Sequence, residues 1–219
     1  MMKLITKILF PMCLLFSMTT FGETMDDLVK RDGLFYKKFT VVPFTGKITG
    51  RAQGVFRNGK REGPWIKYHD NGQLLYQGNY EDGKKEGPWV RYHDNGQLRY
   101  KGTHKDGKQD GPWVYYNEDG KLLDKGNYKD GKEDGPWVQY HDNGQLGYKA
   151  TYKDGKREGP WVVYYDNGQL EKKGTYKDGK EDGPWVKYYD NGQLWSKGTY
   201  KDGEKEDDWV DYPPAPTGW

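Results

Sequence analysis

Apolar and polar residues alternate along most of the chain, in short runs that end at Asn-Gly or Asp-Gly pairs. In the segment 74–80, for example, leucine, tyrosine, glycine and tyrosine occupy every second position. A period of two residues is typical of a half-buried β-strand, and the paired turn residues indicate hairpins. The pattern therefore predicts antiparallel β-hairpins, and no segment after residue 22 has the 3.6-residue period of a helix.

The same pattern returns every 24 residues. Seven tryptophans mark the period: Trp65, Trp89, Trp113, Trp137, Trp161, Trp185 and Trp209. Six complete copies occupy residues 63–86, 87–110, 111–134, 135–158, 159–182 and 183–206. A fixed period of this length is the signature of a repeat architecture. The sequence thus predicts an all-β fold, an elongated antiparallel β-hairpin repeat solenoid with two strands per copy.

Comparison of the copies predicts which face of the strands is packed. In the second strand of each copy, the face that carries leucine, glycine and tyrosine hardly varies, whereas the opposite face varies freely. Glycine inside a strand is unfavourable unless another group lies close, so we expect an aromatic ring from the neighbouring strand to cover it. The predicted core comprises the seven tryptophans and five glycines: Gly78, Gly102, Gly126, Gly174 and Gly198. Ala150 and His104 depart from this pattern, and we expect looser packing beside them.

Two kinds of turn punctuate each copy. Asn71-Gly72 and Asp82-Gly83 are the first examples. Both pairs are typical of two-residue type I′ turns, in which the two central residues have positive φ.

The N-terminus has the features of a secretory signal peptide over residues 1–22. Lys3 and Lys7 precede an apolar run, Ile8 to Met18, and cleavage is expected after Gly22. The sequence therefore predicts an exported protein, periplasmic or extracellular and possibly associated with the cell envelope. The one cysteine, Cys13, lies within the predicted signal.

The ends of the array depart from the repeat. Residues 23–62 are predicted to form a degenerate hairpin cap, with turns at Asp32-Gly33 and Asn58-Gly59. Residues 207–219 are predicted to be a partial repeat and a proline-rich cap that stops strand pairing.

Charge balance bears on the class of partner. The chain has 35 basic and 33 acidic residues, and loss of Lys3 and Lys7 with the signal would leave 33 of each. A neutral chain argues against a nucleic-acid partner and against strong attraction to anionic lipid.

Recurring aspartates and histidines are the candidates for chemistry. Equivalent positions in successive copies are two strands apart, about 9.6 Å, whereas nitrogen ligands of one zinc ion lie about 4 Å from each other. Asp70 and its equivalents are interpreted as turn formers, and His69 and its equivalents as solvated strand ends. The carboxylate spacing of an EF-hand is missing. We therefore predict no catalytic residue, no metal site and no cofactor.

Positions that vary between copies form the candidate binding surface. In the first strand, we expect the residue after the valine or isoleucine to be exposed. The candidates are Lys67, Arg91, Tyr115, Arg99, Glu171 and Trp195. Aromatic residues among them leave a sugar- or choline-binding ladder open as an alternative.

One phrase carries a family resemblance: Asn-Gly-Gln-Leu-x-x-Lys-Gly-Thr-Tyr-Lys-Asp-Gly-Lys-x-x-Gly-Pro-Trp-Val-x-Tyr, at residues 167–188. It resembles the MORN repeat variant of bacterial proteins. The segments 31–36 and 43–47 are similar to the entry region of exported proteins labelled as YwqK-family antitoxins. The resemblance covers roughly residues 26–212 and implies a β-hairpin solenoid with a non-catalytic role in protein interaction or membrane association.

The sequence therefore predicts a non-enzymatic, monomeric interaction or envelope scaffold that binds an unidentified protein through a repeated β surface. Two alternatives stay open: a protein that binds wall polysaccharide or lipid headgroups through the aromatic ladder, and an antitoxin or immunity protein.

Overall fold

The computed structural model describes residues 22–214, which form twenty β-strands and one short 3-10 helix, Met25–Asp27. The prediction of an all-β hairpin array is confirmed for this part of the chain. Residues 1–21 and 215–219 lie outside the described residues. The predicted signal peptide therefore falls almost entirely outside them, and so does Pro216 of the proline-rich end.

The N-terminal region is built from two hairpins that meet the array edge-on. Its strands are β1 (Leu28–Arg31), β2 (Leu34–Lys37), β3 (Gly46–Ile48) and β4 (Ala52–Arg57). Both predicted turns are present, because Asp32-Gly33 and Asn58-Gly59 all have positive φ. β1 and β2 form a separate two-stranded sheet, and the amide of Phe35 donates to the carbonyl of Gly59 at 2.8 Å. The cap is thereby tied to the first turn of the main sheet.

The first four copies supply long strands. These are β5 (Lys60–Tyr68), β6 (Leu74–Glu81), β7 (Lys84–Tyr92), β8 (Leu98–Lys105), β9 (Lys108–Tyr116), β10 (Leu122–Lys129), β11 (Lys132–Tyr140) and β12 (Leu146–Lys153). Each strand pairs antiparallel with the strands before and after it. The result is a meander of two strands per 24 residues.

In the later copies the first strand is divided in two. The strands are β13 (Lys156–Arg157), β14 (Gly159–Tyr164), β15 (Leu170–Lys177), β16 (Lys180–Glu181), β17 (Gly183–Tyr188), β18 (Leu194–Lys201), β19 (Glu204–Lys205) and β20 (Val210–Asp211). The division falls before the Gly-Pro pair. Gly159 and Gly183 have φ of +77° and +87°, and the equivalent Gly87 sits beside a register shift in β7. A bulge at this glycine is therefore common to the copies, and it bends every first strand at the same place.

The two kinds of turn differ, which corrects the sequence prediction. Asp82 and Gly83 both have positive φ, 47° and 82°, as a type I′ turn requires. At the Asn71-Gly72 turn only the glycine does, so the prediction of a type I′ turn there is wrong. The Oδ1 of Asn71 accepts the amide of Gln73 at 3.0 Å, which closes the longer loop from within.

An aromatic ladder forms the core on one face of the sheet. Rings from successive strands meet edge to face, with centroids 5.0–6.3 Å apart, from Phe56 through Trp65, Tyr80 and Trp89 towards Tyr152. This geometry suits the quadrupoles of aromatic rings. Six repeat tryptophans are buried, whereas Trp209, in the last strand pair, is half-buried. We call this side of the sheet the ladder face.

Each interior glycine of the second strand lies under the tryptophan of the next copy. A Cβ placed on Gly78 would be 2.4 Å from the indole of Trp89, and one placed on Gly126 would be 1.8 Å from the ring of Trp137. The glycines predicted as core positions therefore let the ring lie directly on the backbone.

Ala150 breaks the ladder, as expected. The ring contact between Tyr152 and Trp161 is missing from the described residues, and Trp161 instead tilts against Trp185 at 5.5 Å. The buried Nε1 of Trp161 has no hydrogen-bond partner, whereas Trp89 donates to a backbone carbonyl at 3.1 Å. The methyl group of Ala150 therefore displaces the next tryptophan from the position that it takes over glycine.

His104 does not loosen its surroundings, and that part of the expectation is wrong. Its ring lies between Trp89 and Trp113, 5.7 and 5.0 Å away, and both tryptophans are only 2% exposed. The imidazole takes the place of a tyrosine ring in the ladder.

Candidate binding face

The face opposite the ladder carries a repeated set of side chains that no described segment covers. We call it the open face. Its first row alternates valine and lysine across successive strands, because each lysine pairs with a valine on both sides. The row reads Ile66, Gln77, Val90, Lys101, Val114, Lys125, Val138, Lys149, Val162, Lys173, Val186, Lys197 and Val210. The row therefore runs the length of the array.

A second row of the open face lies two residues along each strand. It pairs an exposed proline with threonine or asparagine, as in Pro88 opposite Thr103 and Pro160 opposite Thr175. Proline has no amide hydrogen to offer, so this row presents apolar rings and short polar groups.

The five lysines of the first row are exposed, and none forms an ion pair with a described residue. Lys125 and Lys197 lie over the rings of Tyr140 and Tyr212, at 6.0 and 5.9 Å. The nearest repeated carboxylates turn away towards the Asp-Gly turns, where Glu86 accepts the amide of Asp106 at 2.8 Å. The middle of the open face is therefore cationic, and its acids are held at the edge.

Six segments of the chain match the family described as MORN repeat variant: residues 61–82, 85–106, 109–130, 133–154, 157–178 and 181–202. Together they cover more than half of the chain. The chain belongs to the MORN repeat variant family. No curated protein matches it.

A groove of about 530 Å³ opens on the last MORN repeats. It crosses the four adjacent strands β14, β15, β17 and β18. One wall carries Val162, Lys173, Val186 and Lys197; the other carries Pro160, Thr175, Pro184 and Thr199, and Asp208 lies at the C-terminal end. The groove thus runs between the two rows of the open face, across the strands.

Three residues predicted to bind a partner lie on the ladder face instead. Tyr115 is half-buried, with its ring 6.0 Å from Trp113 and its hydroxyl within hydrogen-bond distance of Gln109, 2.9 Å away. Burial raises the pKa of Tyr115 above its usual value. Arg91 is also half-buried and its Nε has no partner, so among these three only Lys67 is exposed as predicted. The prediction miscounted the face, because the tryptophan and the residue two positions later share one side of the strand.

The other three predicted residues lie at bulges beside the Asn-Gly turns. Arg99 is exposed, whereas Glu171 is half-buried and its carboxylate is 3.3 Å from Lys172. Trp195 is 44% exposed and stacks on Tyr189 at 5.7 Å. The six residues therefore do not form one surface in these MORN repeats.

The lysines of the open face escaped the sequence interpretation, although a signal was present. Lysine recurs three residues after the leucine of the second strand, at Lys101, Lys125, Lys149, Lys173 and Lys197. The alternation of the strand would have placed all five opposite the tyrosine and glycine positions.

The Asn-Gly edge is held by bonds between copies. Asn71 donates to the carbonyl of Asp94 at 2.6 Å, and the imidazole of His69 is bonded to the carbonyl of Tyr92 at 3.2 Å. In later copies a tyrosine replaces the histidine, and Tyr165 donates to the carbonyl of Tyr188 at 2.8 Å. The histidines are therefore bridges between MORN repeats, and the interpretation of them as solvated strand ends is wrong.

No cluster of three or more potential metal ligands occurs within residues 22–214. In the same range, no helix is long and apolar enough to cross a membrane.

Proposed function

We propose that this protein is a non-enzymatic scaffold that binds a protein partner along the open face. The observation that supports this proposal is the asymmetry of the sheet. The ladder face is filled by the chain's own aromatic rings, whereas the open face repeats exposed proline and lysine with half-buried valine in copy after copy. A repeated surface of this kind suits an extended partner.

The finer parts of the proposal come from the sequence. The N-terminal residues have the composition of a secretory signal, so we place the scaffold in the cell envelope, in the periplasm or outside the cell. The protein would act there as a monomer whose affinity depends on the number of copies that the partner contacts.

A glycan ligand is the second candidate, and one observation favours it. Trp195 stacks on Tyr189 and leaves 44% of its surface exposed, as a ring that stacks on a sugar would. However, it is the one exposed tryptophan or tyrosine among the described residues, so it offers a single ring and not a ladder.

Affinity capture from the native cell envelope tests the scaffold, with tagged residues 23–219 as bait and both proteins and glycans analysed. The first variant changes Val138, Val162 and Val186 to threonine, which keeps the branched shape of the strand residues and makes the open face polar. The control changes Asp142, Asp166 and Asp190 to asparagine at the exposed Asn-Gly turns. We expect one stoichiometric protein that the valine variant loses by about tenfold and the control retains.

Two results would contradict the scaffold. A protein that is captured equally by all three baits does not use the open face. Retention of polysaccharide without any protein, lost in a Trp195→Ala variant, would establish the glycan candidate in its place.

A further inference from the structure

We propose that the occupant of the open face is an acidic, proline-containing segment in a polyproline II conformation, which lies across the strands with a carboxylate at every third residue. This inference rests on the scaffold function proposed above and names the class of partner.

The strand pairing excludes the commonest way of binding a peptide to a sheet. Every strand from β4 to β18 is paired on both sides, so its backbone groups are already bonded within the sheet. An added strand could pair only at the ends of the array. A ligand on the open face must therefore be recognised by side chains.

The direction of the ligand follows from the groove. The groove crosses β14, β15, β17 and β18, which corresponds to about 14 Å between the outer strands. Its two walls are the valine–lysine row and the proline–threonine row, and both rows continue through the earlier copies. A chain lying in it therefore runs along the axis of the array and meets the lysines one after another.

The spacing of the lysines selects the conformation. Successive lysines, such as Lys149 and Lys173, are two strands apart, or about 9.6 Å. A polyproline II helix advances about 3.1 Å per residue with three residues per turn, or about 9.3 Å per turn. In an extended β-strand, residues on one side recur at about 6.7 or 13 Å, which fits poorly. Over four steps the polyproline mismatch amounts to about 1 Å, well within the reach of a lysine side chain.

The lining selects the chemistry. The lysines lack ion partners in the described chain, and one charge per 9.6 Å matches one carboxylate per helical turn. Between them, the groove offers Val162, Val186, Pro160 and Pro184 as apolar contacts for the rings of the ligand's prolines. A preformed polyproline II segment also loses little conformational entropy on binding.

Single-stranded nucleic acid and glycans fit less well. Both are usually held by stacking on exposed aromatic faces, and the tryptophans that border the groove, Trp161 and Trp185, are only 8% and 3% exposed. The groove supplies charge and small apolar groups without a stacking platform.

The test measures fluorescence anisotropy of labelled peptides against the full chain without its predicted signal, at low salt. The probe is a fifteen-residue peptide of five Glu-Pro-Pro units. One control peptide replaces each glutamate by glutamine, and another has the same composition with the five glutamates in a block. We expect the periodic acidic peptide to bind at least about tenfold more tightly than either control.

Matched variants locate the site. Lys149→Gln, Lys173→Gln and Lys197→Gln, combined, remove three lysines of the row. The control combines Lys153→Gln, Lys177→Gln and Lys201→Gln, which lie on the same strands and the same side, about 13 Å further along. We expect the first variant to lose about tenfold in affinity and the second less than about threefold, with equal melting temperatures.

Several results would overturn the inference: equal binding of the periodic and block peptides, equal losses in the two lysine variants, or binding of an acidic polysaccharide such as alginate with the same lysine dependence while the peptides fail. If no peptide binds but the valine variant still loses a captured protein, the scaffold function stands and the acidic polyproline ligand is wrong. If the captures also fail, both proposals fall.

Discussion

Single residues set how well the ladder closes. The same position holds glycine in five copies and alanine at Ala150, and one methyl group is enough to move Trp161 onto Trp185. The strength of this constraint can be measured, because a glycine that lies under a ring and the natural alanine occur in adjacent copies.

We expect Gly126→Ala to destabilise the protein by about 1–3 kcal/mol, because the new Cβ would lie 1.8 Å from the Trp137 ring and the ring would have to move. The midpoint of urea unfolding measures the effect. Ala150→Gly is the matched control and should fall less, since its ring is already displaced. An unchanged midpoint for Gly126→Ala would show that the ring has room to shift.

His104 predicts a pH dependence. Burial lowers the pKa of His104 from 6.5 to about 4, and Lys85 acts in the same direction. The unfolded chain therefore takes up this proton near pH 6.5, whereas the folded chain takes it up only near pH 4. The contribution to stability is complete above about pH 6.5 and falls by about 2–3 kcal/mol as the pH drops to 4.

Unfolding of the wild type and of His104→Tyr between pH 7 and 4 isolates this term. Tyrosine occupies the same ladder position in the other copies, so the variant keeps the ring and removes the titration. We expect the stability of the variant, relative to the wild type, to rise as the pH falls. Parallel pH profiles would contradict the assignment.

At the scale of the elements, the turns have different tasks. The Asp-Gly turns only reverse the chain, whereas the Asn-Gly turns also join each copy to the next. The third copy supports this distinction: Asp119 stands where the others have asparagine and cannot donate, and Lys121 makes the bond to the carbonyl of Asp142, at 2.9 Å.

We expect Asn167→Asp to destabilise the protein by about 1 kcal/mol, because it removes the bond from the Asn167 amide to the carbonyl of Asp190, 2.8 Å long. Asn191→Asp is the control, since its turn is the last of its kind in the described chain and its Oδ1 bond to Gln193 survives the change. Thermal unfolding of both variants checks the difference. Equal losses would mean that the effect is local to the turn.

The strands and the covered glycines could be predicted because they depend on period and steric size, which the sequence displays directly. The Asn-Gly turn could not, since the same dipeptide serves a type I′ turn at Asn58-Gly59 and a longer loop at Asn71-Gly72. What differs is whether the asparagine has a neighbouring turn to bond, and that depends on the assembled array. The position of Tyr115 was missed for a simpler reason: variation between copies was taken for exposure, although the ladder accepts several side chains there.

At the scale of the whole molecule, contacts pass only between neighbouring strands. The stability of such a meander is approximately a sum over copies and their interfaces. The array should therefore tolerate loss of a whole copy and not of half a copy.

We expect deletion of residues 111–134 to leave a folded protein with a lower melting temperature, because Asp110 then joins Gly135 and restores the Asp-Gly-Pro phrase. Deletion of residues 111–122 is the control: it removes one strand and puts second-strand residues where the tryptophan should lie. Circular dichroism and limited proteolysis distinguish the two. A folded half-copy deletion would contradict the two-strand unit.

The bonds between copies all point the same way along the chain. Asn71 and His69 reach residues 94 and 92, and Trp89 covers Gly78 of the copy before it. A copy is complete only when the following one is in place. During synthesis, which proceeds from the amino end, the newest copy is thus the one with open bonds, and everything behind it is finished. The order of synthesis and the order in which contacts can form coincide, which keeps the number of unpaired strand edges on a growing chain to one.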